Sequence, residues 1–232
     1  MKNSLFLTAA LVFSSALYAQ QPLTRQAVEE LFAQYNPQLM DRSSKEEGLR
    51  RMVEEVISAC MDQNPTDALE NRYTVIALAR NFENSLILQA VTEQYQQALT
   101  YAALGNPEVD APARAHAHAE LLKIYARIWA VTVQVKEDLL AQYKQALGTA
   151  SRDKDMTPAE RKEYRTRLKN TIVALQADID TLQSKPEALL LALTKNTLDK
   201  TEEQARAQLN SSAQISSDNL LVKTKHKKPV AE

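Results

Sequence analysis

Residues 111–147 read APARAHAHAELLKIYARIWAVTVQVKEDLLAQYKQAL, and this stretch decides the fold. It holds no glycine, and its one proline, Pro112, stands second. His118, Leu121, Tyr125, Ile128, Thr132, Val135 and Leu139 recur at alternating steps of three and four. That is the repeat of one helix face. Leu122, Trp129, Val133 and Leu140 form a second stripe beside the first. So wide an apolar surface implies a helix packed on more than one side. Asp110 supplies a cap, Pro112 fits the first turn, and Gly148 suits a left-handed residue after the end. At roughly 1.5 Å per residue this helix is about 55 Å long.

The flanking segments carry matching seams. Thr157-Pro158-Ala159-Glu160 has the form of a capping box with proline at the first helical position. Leu168, Ile172, Leu175, Ile179 and Leu182 follow at steps of four and three, a coiled-coil-like seam. The connection 148–157 is short, so the two helices run antiparallel. Folding back there sets Leu168 beside Val135 and Leu139, and Leu182 beside Leu121 and Tyr125. Upstream, Thr66 caps a segment reaching Leu104, with Tyr73, Ile76, Phe82, Ile87, Val91, Tyr95, Leu99 and Ala102 at helical spacing. The polar run Asn81–Ser85 tests its continuity. With no glycine or proline in that run, an unbroken helix is expected. Gly105-Asn106-Pro107 stops it, and reflection there sets Val91 beside Ile124 and Ile87 beside Ile128.

Two shorter helices open the mature chain. Thr24 caps one carrying Val28, Leu31, Phe32 and Tyr35, which Asn36-Pro37 stops. Ser44 and Glu47 have capping-box spacing for another, carrying Leu49, Met52, Val53, Val56, Ile57 and Cys60. These two are expected to cover the end of the bundle near residue 65. Ser184-Lys185-Pro186-Glu187 opens a last helix with Leu189, Leu190, Leu193 and Leu198. Periodicity fades after about residue 210. The expected fold is all-α: an elongated antiparallel helical bundle of about six helices around the long central helix 111–147. Residues 20–210 form one domain, and 211–232 a disordered basic tail.

Composition removes most catalytic classes. The 232 residues include three glycines, Gly48, Gly105 and Gly148, far from one another. Phosphate-cradling loops and nucleophile elbows need clustered glycine, so neither is present. Basic and acidic residues number 28 and 29, a net charge of −1 that does not suggest nucleic acid. Lys2, the apolar run Leu5–Phe13 and the small Ala19 before Gln20-Gln21-Pro22 read as a secretory signal, residues 1–19, cleaved after Ala19. The expected location is periplasmic or secreted. Cys60 is the only cysteine, so the chain has no internal disulfide; it sits on an apolar stripe as a buried hydrophobe.

No catalytic, cofactor-binding or metal-ligating residue emerges. His116 and His118 stand two apart and point in nearly opposite directions on a helix. His118 belongs to the apolar seam, and His116 with Glu120 supplies too few ligands for a metal. The tyrosines and Trp129 fall at core spacing. Charge is uneven: segment 46–70 has seven acids and two bases, and segment 151–169 has seven bases and four acids. The tail adds Lys223, Lys225, Lys227 and Lys228 around His226, a basic run suited to a weak membrane-surface or cell-wall contact.

Residues 22–39, PLTRQAVEELFAQYNPQL, are similar to the opening of outer-membrane efflux-channel proteins. That resemblance implies β-barrel strands, and the rest of the chain reads as helix, so it assigns no family. The expected function is a non-enzymatic exported interaction or scaffold protein, an adaptor or chaperone-like component of an envelope assembly with a protein partner. The alternative is a bundle that holds an apolar small molecule or lipid, motivated by the wide surface of 118–140. A homodimer follows if the 168–182 seam is splayed from its neighbour.

Overall fold

The computed structural model describes residues 23–61, 68–103, 110–150 and 156–225, with 212–225 described by backbone alone. These residues form seven helices and no strand: α1 (Arg25–Tyr35), α2 (Pro37–Lys45), α3 (Glu47–Met61), α4 (Ala68–Ala103), α5 (Asp110–Thr149), α6 (Pro158–Ser184) and α7 (Pro186–Lys225). The fold is an all-α helical bundle, as the apolar spacing predicts. Residues 1–22 and 226–232 lie outside the described residues, and with them the signal segment, Ala19, His226, Lys227 and Lys228. Thr66 and Gly105 are outside as well. The backbone of α7 is helical past residue 210 to Lys225, and the side chains of Lys223 and Lys225 are not described.

The seventh helix comes from a corner that the sequence reading treats as a stop. The Asn36 N–H donates to the Phe32 carbonyl at 2.8 Å, ending α1. Its side-chain oxygen accepts from the Leu39 N–H at 3.1 Å, starting α2, and its amide nitrogen donates to the Ala79 carbonyl at 3.0 Å. Pro37 fits the first helical turn because it has no N–H to satisfy there. The expected Ser44–Glu47 capping box does not form. Ser44 lies inside α2 and donates to the Asp41 carbonyl, while Glu47 pairs with Arg50 and Arg51. Gly148 is likewise inside α5 and takes no left-handed conformation. The Thr149 hydroxyl, donating to the Gln145 and Ala146 carbonyls, closes that helix instead. Across Asn81–Ser85, α4 is unbroken, with the Ser85 hydroxyl donating to the Asn81 carbonyl at 3.1 Å.

The helices group into two compact units. The first contains α1–α3, α4 through Leu86, α5 from Ala126 and α6. Its main core holds Val28, Phe32, Leu39, Ile57, Ile76 and Phe82, with Val135 from α5. A second cluster joins Leu139 and Tyr143 to Leu168, with Ile172 and Leu175 packed against it. The expected facing of the α5 and α6 seams is therefore present. Leu168 meets Leu139 as expected, and the register differs at the other end, where the Trp129 indole N–H donates to the Leu182 carbonyl at 3.2 Å.

The second unit contains α4 from Ile87, α5 through Tyr125, and α7. Tyr95, Ala117, Leu121 and Leu198 form its core, with Val91 packed against it. Leu121 and Tyr125 thus turn to α7 rather than to Leu182, and Tyr125 shares a hydrogen bond with Thr197. Ile87 is 41% exposed. Fewer bulky apolar side chains close this unit: buried Thr194, Leu198, Thr201 and Ala205 make the inner stripe of α7. Among the described residues, no helix is long and apolar enough to cross a membrane.

Candidate functional site

The outer face of the first half of α6 carries the most distinctive surface chemistry. Thr157 and Glu160 close both halves of the expected capping box. The Thr157 hydroxyl accepts from the Glu160 N–H at 3.3 Å, and the Glu160 carboxylate accepts from the Thr157 N–H at 2.8 Å. Hydrogen bonds from Thr157, the side chain first and then the backbone, hold the Glu160 carboxyl below its ordinary range. Glu163, the next acid, faces Arg167 at 3.6 Å. Among the described residues, these two neighbouring acids are thus engaged elsewhere.

Between and beyond them stand Arg161, Lys162, Arg165 and Lys169. With Pro158 and Thr166 they line an open groove of about 380 Å³. The six positions fall at i, i+3, i+4, i+7, i+8 and i+11, one face of the helix. None of the four cations forms an ion pair among the described residues. Arg161 is tied down by Nη2 donating to the Met156 carbonyl at 2.9 Å, and its buried Nε has no hydrogen-bond partner. One turn past Lys169, on the same side, Val173 is 69% exposed. Arg161 repels Arg165, and Arg165 repels Lys169, each at i, i+4. The row also begins at the helix end where the macrodipole disfavours cations. Local stability therefore does not account for it.

The acidic segment behaves differently. Glu46, Glu47 and Glu54 meet Arg42, Arg50 with Arg51, and Arg25. Residues 62–67 of that segment are outside the described residues.

Elsewhere the geometry follows packing. His116 is exposed and His118 half-buried, while neighbouring Ala117 takes the fully buried position. Glu120 meets Lys123 at 2.7 Å. Among the described residues, no three His, Cys, Asp or Glu side chains gather in a way that would hold a metal. Cys60 is buried in the main core, and burial pushes its thiol up to about 11. Trp129, Tyr95 and Tyr143 are packed inward, whereas Tyr101 is 67% exposed. The wide surface of 118–140 is used for packing, with Val135 in the main core, Val131 packed against it and Leu121 against α7.

Two features escape the sequence reading. Lys136 is fully buried in α5 and ion-paired with Asp178 of α6. In the second unit, the Tyr95 hydroxyl donates to Glu202 at 2.9 Å, and Glu202 also meets Arg114 at 3.4 Å. Burial, then that hydrogen bond, raises the Tyr95 hydroxyl well above its ordinary range. The signal for both lay in polar residues at core spacing, which a search for apolar stripes passes over.

No family model, curated protein or solved structure matches the chain.

Proposed function

We propose that this chain is a non-enzymatic, exported interaction protein, an adaptor or chaperone-like scaffold component of an envelope assembly. The observation that carries the reading is the basic row of α6: four cations on one exposed face, none ion-paired among the described residues. Such a row costs local stability, and an acidic partner repays that cost on docking. The apolar surfaces of α5 are occupied by neighbouring helices, which leaves the charged outer faces to meet other molecules. The export component rests on the secretory pattern of residues 1–19.

The test places a photo-crosslinking amino acid at Thr166, in the middle of the row, in cells that export the full chain. A discrete crosslinked species is expected, and it should vanish in the Lys162→Glu/Arg165→Glu/Lys169→Glu variant. Mass determination of the exported chain should give Gln20 as its first residue. Crosslinks unaffected by charge reversal, or retention of residues 1–19 in the cytoplasm, would remove the reading.

A further inference from the structure

Resting on the reading just given, we infer that the partner of the α6 face is itself an acidic amphipathic α-helix. Arg161, Lys162, Arg165 and Lys169 lie along one helix side, and the row ends in Val173. Steps of three and four residues advance about 4.5–6 Å along the axis. A second, antiparallel helix with carboxylates at i, i+4 and i+7 advances by the same amount, so Lys162, Arg165 and Lys169 each meet an acid without either backbone bending. Docking such a helix covers the valine as well, provided that its next turn is apolar.

The row's extent agrees with this occupant. From Pro158 to Val173 the face runs about 22 Å, four turns of helix and one helix wide. A linear polyphosphate chain satisfies the cations but gives no use to a β-branched side chain exposed at 69%, and a bilayer uses it only by admitting it to the boundary of its acyl chains. A helix with an acidic half and an apolar half uses both. Ala174 and Ala177, exposed beside Val173, are small enough to admit a close approach there.

Among the described residues, the acids nearest the row and the paired acids of the other charged segment are already engaged. Glu160 is held in its cap and Glu163 by Arg167. The acids Glu46, Glu47 and Glu54 of the other charged segment have their own arginines.

The experiment titrates the full mature chain with two fluorescent alanine-based peptides of identical composition. One places its glutamates at i, i+4, i+7 on one face and a leucine one turn beyond; the other scatters the same residues around the helix. Vesicles of phosphatidylglycerol with phosphatidylcholine and inorganic polyphosphate serve as competing probes. The one-faced peptide is expected to bind about tenfold more tightly than the scattered one, the size that a few exposed ion pairs supply together. Arg165→Glu/Lys169→Glu should abolish the preference. Val173→Ser should weaken the one-faced peptide and leave the scattered one unchanged, while circular dichroism shows all variants folded.

Equal binding of the two peptides overturns the helix assignment. If vesicles or polyphosphate bind more tightly than either peptide, and through the same lysines and arginines, the occupant is wrong while the docking face stands. If no probe responds to reversal of the row, the docking face fails as well.

Discussion

Helices α1–α3 and the outer face of α6 both carry many charges, and they handle them in opposite ways. Among α1–α3, Arg25 meets Glu29 and Glu54, Lys45 meets Asp41 at 2.8 Å, and Arg42 meets Glu46 and Glu83 at 3.6 Å. On α6, Arg161, Lys162, Arg165 and Lys169 meet no acid among the described residues. Counting ions along the chain ranks these regions in reverse: seven acids against two bases in 46–70, seven bases against four acids in 151–169. In the larger imbalance, Glu46, Glu47 and Glu54 have local arginine partners, some of them outside the counted window. In the smaller one, the acids among the described residues, Glu160 and Glu163, are spent on a helix cap and a neighbouring arginine. What a surface offers to a partner depends on pairing rather than on net charge.

The comparison also separates what holds each region from what it displays. Exposed ion pairs contribute little, so α1–α3 must be held by Val28, Phe32, Leu39 and Ile57 beneath them. Phe32→Ala is therefore the largest effect expected, about 3–5 kcal/mol of stability by denaturant unfolding, because the ring is fully buried. A cost under about 1 kcal/mol would show that the ion pairs carry more of this region than their exposure allows.

The inner side of α6 is anchored differently, by Asp178 on the buried Lys136. Asp178→Ala removes an ion-pair partner from a cation in the interior. Breaking a fully buried pair costs about 3–5 kcal/mol, and Asp178 is 43% exposed, so about 2 kcal/mol is expected. Binding at the outer row should persist in this variant wherever it remains folded.

Thr157→Ala comes next, at about 1 kcal/mol for a lost helix cap. It also tests the pH response. The Glu160 carboxyl titrates lower folded than unfolded, so its contribution is complete above the ordinary carboxyl range. That contribution is lost as pH falls through the lowered value. Thr157→Ala should therefore flatten the acid limb of the stability–pH curve. An unchanged limb would mean that the capping box is open in solution.

How much of this was legible in the sequence follows from which physical signal each feature leaves. The α5 and α6 seams repeat over many residues, so their helices and the contact of Leu168 with Leu139 could be read directly. The α2 helix could not, because its nine residues bury only Leu39 and Ser43 and show no repeat. The Ser44–Glu47 spacing misled, since a capping box needs a chain that enters the helix at that serine, and here Ser44 is already helical. The shift of Leu121 and Tyr125 to α7 arises where threonines line the inner stripe, and threonine leaves no mark on an apolar pattern. The basic row was visible as net charge. Its use of one face followed from the spacing of 161, 162, 165 and 169, but its lack of partners depended on where Glu160 and Glu163 point.

The finest test of the comparison uses two neutralisations that should differ in sign. Glu54→Gln removes one of the two carboxylate partners of Arg25, so stability should fall by about 0.2–1 kcal/mol. Arg165→Gln removes the cation that stands between like charges at Arg161, Lys162 and Lys169, so stability should rise by about 0.2–0.5 kcal/mol. Both effects are Coulombic and solvent-exposed, so both should shrink as salt shortens the screening length from about 10 Å at 0.1 M toward about 3 Å at 1 M. Paired urea titrations at the two salt levels measure this directly. If Arg165→Gln destabilises the chain at low salt, its guanidinium has an acid partner in solution, and the two regions do not differ in the way that their pairing indicates.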